Sequence, residues 1–254
     1  MQKCLFCIQK HVKRLNKSSM RKLFSKPHER QKGSFDASEI EIIGVGCGGT
    51  NIVNYMQTHG FKDFPLAVCD MDASVIEHSK VREKLLFGMD GLGAGNNPEL
   101  GKSEAEKKMM DIRSIIKEHT KVSFVVVCLG GGCGTGASPV VAREIKKRGV
   151  KTIGVATLPF EFEGRLKFNQ AMDGLIELAT YTDAIFVLNN QYILNHHPEL
   201  AMNAAFTMAD ELMAKVVWSI IDFMYVNRNS KHTNGIIGYI KKLFTLFDLS
   251  DSES

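Results

Sequence analysis

At 254 residues the chain is long enough for one or two domains with a sizeable core, and no apolar run reaches the length of a membrane-spanning helix. The formal net charge of +4 is unevenly spread: residues 1–33 hold ten Lys/Arg against one acid, Glu29, which leaves 22 bases against 27 acids, a net of −5, for the rest. A basic arm precedes a mildly acidic body, a division that excludes a body built to bind nucleic acid. The six cysteines (Cys4, Cys7, Cys47, Cys69, Cys128, Cys133) fall in the arm, on strand-like runs and inside glycine loops. That scatter excludes a disulfide framework and points to a reducing compartment.

Residues 1–37 read as a flexible basic arm. Leu5, Ile8, Val12, Leu15 and Leu23 fall at spacings compatible with one helical face among lysines and arginines, so a membrane-surface helix, an organellar presequence and a basic tail all compete. Arginine does not dominate lysine, and no long apolar run leads to a small-residue cleavage site, which favours a tail with affinity for anionic surfaces. Cys4 and Cys7 form a CxxC with His11 nearby but lack the second pair that a zinc site needs, and no metal site is expected.

Order is expected from Ser38. Glu39 to Val45 reads as a strand, followed by GVGCGGTN and a helix to about His59; a second strand, Leu66 to Cys69, ends in the acidic pair Asp70 and Asp72. Gly44, Gly46 and Gly49 meet the GxGxxG pattern after a strand and before a helix, so a dinucleotide-dependent oxidoreductase is one reading. A dinucleotide domain needs one such loop, and this chain has more. The stretch from Gly91 to Gly101 is rich in glycine and runs into Lys102 and Ser103, but five residues separate Gly95 from Gly101 where a P-loop has four. Lys102 and Ser103 read as the opening of a helix, SEAEKKMMDIRSIIKEH.

The centre of the chain is VSFVVVCLGGGCGTGASPVVAREIKKRG, residues 122–149. Val122 to Leu129 is too short and too rich in valine for a helix and reads as a strand buried on both faces. Gly130, Gly131, Gly132, Gly134 and Gly136 then fall within seven positions. A turn needs one or two glycines; this many suits a backbone whose N–H groups press against an anion at a helix N-terminus. Ser138 reads as the cap of the following helix and Pro139 as its first turn. Further strands are expected at Thr152 to Leu158 and Ala184 to Leu188, and helices to about Tyr181 and from Ala201 to Phe223. The alternation predicts an α/β fold, a parallel sheet with helices on both faces.

Six segments in order resemble the tubulin/FtsZ family, FtsZ being the bacterial tubulin homologue of cell division: IGVGCGGTNIVNYM, CDMDASVI, GLGAGNNPELG, GGGCGTGASPVVA, ATLPFEFEGRLKF and AAFTMADELMAKVVWSI. The resemblance covers about residues 39–225 and implies a Rossmann-like GTP-binding domain at 38–225 that binds GTP or GDP, with Mg2+ accompanying the nucleotide. It implies that Cys47, Gly48, Gly49, Thr50 and Asn51 form the first phosphate loop and that Asp72 lies near the phosphates. By the same resemblance Ala94, Gly95 and Asn96 sense the γ-phosphate, and Gly131, Gly132, Gly134, Thr135 and Gly136 cradle the phosphates. Glu163 falls at the ribose contact, Lys167 at a nucleotide-binding position, Asn189 at a sugar or base edge, and Asp210, at the start of the long helix, where guanine is read. An ionised carboxylate there accepts from both N1–H and the 2-amino group of guanine, a pair that adenine lacks; by itself Asp210 reads equally as an exposed acid in a first helical turn.

The chain also departs from the family pattern. Cys47 replaces a usual glycine, Cys133 a usual threonine, and Lys167 an arginine, a point charge in place of a fork. Residues 226–254 stand where the family continues into an acidic loop and a second domain, with Asn229 and His232 where carboxylates are usual. Ile236, Ile237, Ile240, Leu243, Phe244 and Phe247 fit one face of a short helix. The resemblance implies a cytoplasmic protein at the division site that associates with full-length filament subunits or with itself, and whose unaided hydrolysis is weak. A self-sufficient polymerising GTPase is the alternative within the family.

Overall fold

The valine- and isoleucine-rich runs form strands because each is covered on both sides. In the computed structural model, which describes residues 5–7, 36–88 and 90–227 (backbone alone for 5–7, 223 and 225–227), side chains alternate between two cores. Ile43, Val45, Val125, Val127, Ala156 and Leu158 point to one; Ile40, Ile42, Phe124, Val126 and Val155 point to the other. Continuous apolar runs are what a parallel sheet between two helical layers requires.

The order is β1 (Leu5–Cys7), a 3-10 turn (Ala37–Glu39), β2 (Ile40–Val45), α1 (Gly46–Thr58), β3 (Leu66–Asp70), α2 (Ala73–His78) and β4 (Glu83–Leu86). Then follow α3 (Pro98–Lys107), α4 (Met109–Ile115), β5 (Val122–Cys128), α5 (Gly132–Lys147), β6 (Lys151–Leu158) and a second 3-10 turn (Glu161–Glu163). The last elements are α6 (Arg165–Tyr181), β7 (Ala184–Asn189), α7 (Gln191–His196) and α8 (Met202–Asn227). Among the described residues the strands form one sheet in the order β1-β7-β6-β5-β2-β3-β4, every pairing parallel. Helices α3 to α6 contribute to one core, and α1, α2, α7 and α8 to the other. The order reverses between β2 and β5, so the loops leaving their carboxyl ends diverge to either side of a switch point, where ligands of such sheets bind.

The expected fold is borne out, with four local differences. Leu5–Cys7 adds to the sheet edge, Leu5 opposite Ile185 and Cys7 opposite Val187, so these three residues form a strand within what was expected to be a flexible arm. Ile8, Val12, Leu15, Leu23, Cys4 and His11 lie outside the described residues, as do Asn229, His232 and the apolar positions from Ile236 onward. β4 went unread because it is four residues long and half-buried, with a charged start, Glu83-Lys84. The helix expected from Lys102 starts earlier, at Pro98 under the Asn97 side chain, and breaks at Lys108 (φ −102°, ψ 21°), so that Ile112 and Ile115 reach the core beside Ala105.

The fourth difference bears on function. Helix α5 begins at Gly132, inside the glycine run, and not after Ser138. Ser138 is fully buried with an unpartnered hydroxyl, and Pro139 sits within the helix. The glycines belong to a helix because neighbouring backbone is packed against them. A Cβ on Gly136 would stand 1.9 Å from the Pro98 carbonyl oxygen, and one on Gly132 would stand 2.7 Å from the Asn97 nitrogen. Neither distance admits a side chain, so these positions hold α3 and its preceding loop against α5.

Candidate functional site

Helices α1 and α5 both start at the carboxyl edge of the sheet, and neither has a side-chain cap: the N-cap positions are Val45 and Gly131. Gly46, at φ +74°, lets α1 begin directly at the end of β2; a Cβ there would meet the Gly134 nitrogen at 2.6 Å. Two helix starts are thus in backbone contact, each with its first N–H groups lacking an intrahelical partner and its dipole positive at the same place. Gly131, the N-cap of α5, has nothing within 4 Å of a Cβ position, so the outer side of this loop faces open space. Thr135 Oγ1 accepts from the Gly130 N–H at 2.8 Å and fixes the loop's entry. Such a pair of helix starts is an anion site suited to phosphate groups.

The third glycine stretch lies over this one. Ala94 and Asn97 border Gly132, while Gly95 (φ +54°) and Asn96 (φ +61°) are exposed in the left-handed region. Asn96 is the one non-glycine residue there among those described, held by Gln170 of α6: Asn96 Nδ2 donates to Gln170 Oε1 at 3.4 Å, and Gln170 Nε2 donates to the Asn96 carbonyl at 3.3 Å. Gln170 was not read from the sequence, because its partner is 74 residues away.

Acidic groups rim the loops. Asp72 Oδ1 accepts from the Ser74 N–H and Oγ, bonds that hold its carboxyl below the usual range. Asp70 is buried, and burial pushes its carboxyl up against the opposing hydrogen bonds from the Asp72 and Met71 N–H groups. Cys47 keeps an exposed edge; partial burial, then the charges of Asp70, Asp72 and Asp210, raise its thiol. Thr50 is completely buried and its hydroxyl has no partner, while its neighbour Asn51 is exposed.

On the other side of the switch point, Glu163 is occupied at both oxygens: Oε1 accepts from the Phe160 N–H at 2.9 Å and Oε2 pairs with Lys167 Nζ at 3.2 Å. Asn189, at the end of β7, accepts from the Gln191 N–H at 3.0 Å. Asp210 lies about two turns inside α8 and not in a first turn. It is half-buried, and burial alone pushes its carboxyl up to about 7. Its charge reaches Cys47, Cys128 and Tyr55, which places it beside the first glycine loop. One turn earlier on α8, Phe206 is 38% exposed and stands edge-on to Phe160, ring centres 5.0 Å apart. An aromatic four residues before Asp210 shares its helical face, a signal that the sequence alone did not single out.

A doubly wound sheet with two uncapped helix starts and a rim of carboxylates at its switch point defines a mononucleotide-type α/β domain. Residues 39–198 match the Tubulin/FtsZ family, GTPase domain, and the chain belongs to that family. It is 36% identical to the cell division protein FtsZ of Porphyromonas gingivalis over 189 residues, 73% of this chain and 41% of that protein. To cell division protein FtsZ 1 of Methanocaldococcus jannaschii it is 33% identical over 190 residues, 74% of this chain and 52% of that protein. A solved FtsZ dimer from M. jannaschii superposes with a TM-score of 0.71 at 30% identity, covering 83% of this chain and 60% of that one. CetZ2 from Haloferax volcanii shares the fold, with a TM-score of 0.67 at 23% identity over 80% of this chain and 63% of that one. The chain spans about half the length of the curated relatives it matches. The expected family is borne out, and the oxidoreductase reading finds no support in these likenesses.

Proposed function

We propose that the chain is a guanine-nucleotide-binding protein of cell division that associates with filaments of complete relatives or with itself. The observation that carries this is the contact between the two uncapped helix starts at Gly46 and Gly134, with Asp210 close by on α8. The free N–H groups of α1 and α5 fit the phosphates. Asp210 has an acceptor to offer and, among the described residues, no cation that opposes its burial, which suits the N1–H and 2-amino donors of guanine. Phe206 supplies an exposed ring on the same face of α8. Gly95 and Asn96 have the open backbone and the support from Gln170 that a loop contacting the last phosphate needs. A divalent ion bound with the nucleotide would neutralise phosphate charge, and the ionised Asp72 is the residue fitted to face it. Among the described residues no group of three His, Cys, Asp or Glu is placed to hold a metal by itself.

Binding and hydrolysis separate in this reading. Phosphoryl transfer to water needs a group that orients the nucleophile, and the family resemblance assigns that task to carboxylates of a neighbouring subunit's acidic loop. Asn229 and His232 occupy those positions here, so turnover by the protein alone is slow, and a complete neighbour supplies what is missing. The relatives named for cell division, and those solved as a dimer or a protofilament, support association with like subunits at the division site in the cytoplasm. No helix among the described residues is long and apolar enough to cross a membrane. Attachment to an anionic membrane is proposed for residues 1–33, each of whose ten Lys/Arg contributes about 1 kcal/mol near such a surface; equal co-sedimentation of the full chain and a 34–254 fragment with anionic vesicles would refute that part. For the nucleotide itself, denaturing the purified protein and separating what is released should yield GDP or GTP, whereas an adenine dinucleotide would overturn the assignment.

A further inference from the structure

The two edges of the sheet are built differently. β4, at one edge, is four residues long, half-buried, and opens on the charges of Glu83 and Lys84. Short, charged strands of this kind discourage a further strand from pairing. β7, toward the other edge, is six residues, AIFVLN, with no charge and no proline. Ile185 and Val187 are buried in one core and Phe186 and Leu188 in the other, and β6 pairs with β7 along its whole length in unbroken register. Left uncovered, such a strand is a template for another chain. What covers it is β1, three residues set against Ile185–Val187; among the described residues nothing else pairs with that edge.

We propose that β1 is an exchangeable strand: the β7 edge takes Leu5–Cys7 from its own chain when the protein is dilute, and from a second copy when copies crowd. The edge itself specifies the occupant, an uncharged extended segment running parallel to β7, and Leu5-Phe6-Cys7 is such a segment. Three paired residues form few ladder bonds, so β1 belongs to the part of the fold that opens most readily. Residues 8–35 separate it from the body, which resumes at Asp36. That length of chain reaches about 95 Å at most, enough to pass from one molecule to the β7 edge of its neighbour. A second copy's strand makes the same bonds in the same register, so the exchange sacrifices no contact. It is decided by concentration alone: a tethered strand has a local concentration on the order of millimolar, and neighbours held closer than that displace it.

Cysteine trapping in the full-length chain tests this. Val187→Cys puts a thiol in register with Cys7, and neighbouring strands lie about 4.8 Å apart, within the span that a disulfide bridges. Heavy- and light-isotope chains are mixed and treated with a mild disulfide oxidant, and the linked peptides are mapped by mass spectrometry. Cys7 should link to position 187 within one chain at about micromolar protein. The interchain share of that link should rise at least about tenfold as the protein approaches millimolar. Leu5→Pro with Phe6→Pro removes backbone donors from both sides of β1 and should reduce both links at least about tenfold. If Val187→Cys does not fold, Leu5→Cys with Ile185→Cys reads the same register, the prolines then being placed at Phe6 and Cys7. Three results would overturn the proposal: no link at any concentration, links confined to single chains up to millimolar protein, or linking that the prolines leave unchanged.

Discussion

At the amino ends of the strands, Glu41 of β2 is 1% exposed and accepts from Thr120 Oγ1 at 3.4 Å. Burial pushes its carboxyl up to about 7, and Lys117 and Arg148 pull against that rise. Nearby Glu144, buried as well, pairs with Arg113 and Lys147 at 2.7 Å and with Arg143 at 3.4 Å. Its burial is outweighed by the hydrogen bonds from Lys147 and Arg113, and the carboxyl ends below its usual range. At the carboxyl ends Asp210 is also pushed up to about 7, but among the described residues nothing opposes the burial. Two carboxylates with similar shifts therefore differ in kind. Among the described residues, Glu41 and Glu144 have cations set against their burial, and Asp210 has none.

The largest effect is expected from displacing the backbone that supports the carboxyl end of the sheet. Gly136→Ala would place a Cβ 1.9 Å from the Pro98 carbonyl oxygen, and because the obstacle is backbone the cost should be about 3 kcal/mol or more. A denaturant titration should show that loss, together with faster exchange of the α3 amides. A midpoint equal to that of the wild type would mean that α3 and α5 are not packed in this way.

Asp210→Ala sharpens the comparison next. It should reduce the preference for GTP over ATP by about 1–3 kcal/mol, the cost of leaving buried donors unpaired, as read by competition binding. Glu41→Gln should leave the preference unchanged.

A smaller effect separates the two carboxylates by pH. Both have folded values near 7, above ordinary values of 3.8 for Asp210 and 4.5 for Glu41. Each therefore favours the fold fully below its ordinary value and loses that contribution as pH rises through about 7. Asp210→Asn and Glu41→Gln should each flatten this decline in Tm, which runs from about pH 4 to about pH 7, for the ligand-free protein. Saturating GDP should remove the difference between wild type and Asp210→Asn, because guanine then partners the carboxylate, and should leave the Glu41→Gln difference in place. The smallest change is expected for Lys167→Arg. A fork in place of a point charge should alter nucleotide affinity by less than about 1 kcal/mol, since the Lys167–Glu163 pair is partly exposed.

Much of this was legible in the chain because the signals are local. Valine runs covered on both faces announce parallel strands, and the glycine loops at Gly44 to Gly49 and Gly130 to Gly136 announce where the strands end. What stayed hidden depends on contacts distant in sequence. That Gly132 and Gly136 lie inside α5 follows from the approach of Pro98 and Asn97, which no local pattern encodes. The elevated Asp210 carboxyl follows from its depth in α8, and a first-turn reading of that residue carries no such shift. β4 escaped notice because a strand of four half-buried residues has no periodicity to detect. Phe206 stood in plain view, but its meaning depends on the neighbouring rings Phe160 and Phe162.

The central claim is that the carboxyl end of the sheet takes a guanine nucleotide, with phosphates on α1 and α5 and the base at Asp210. Calorimetric titration of the nucleotide-free protein with GDP, GTP, ATP and NADH at neutral pH tests it directly. The account predicts saturable one-to-one binding of GDP and GTP, at least about tenfold tighter than ATP, with NADH not bound. Equal affinity for ATP and GTP, or tighter binding of NADH, would contradict it.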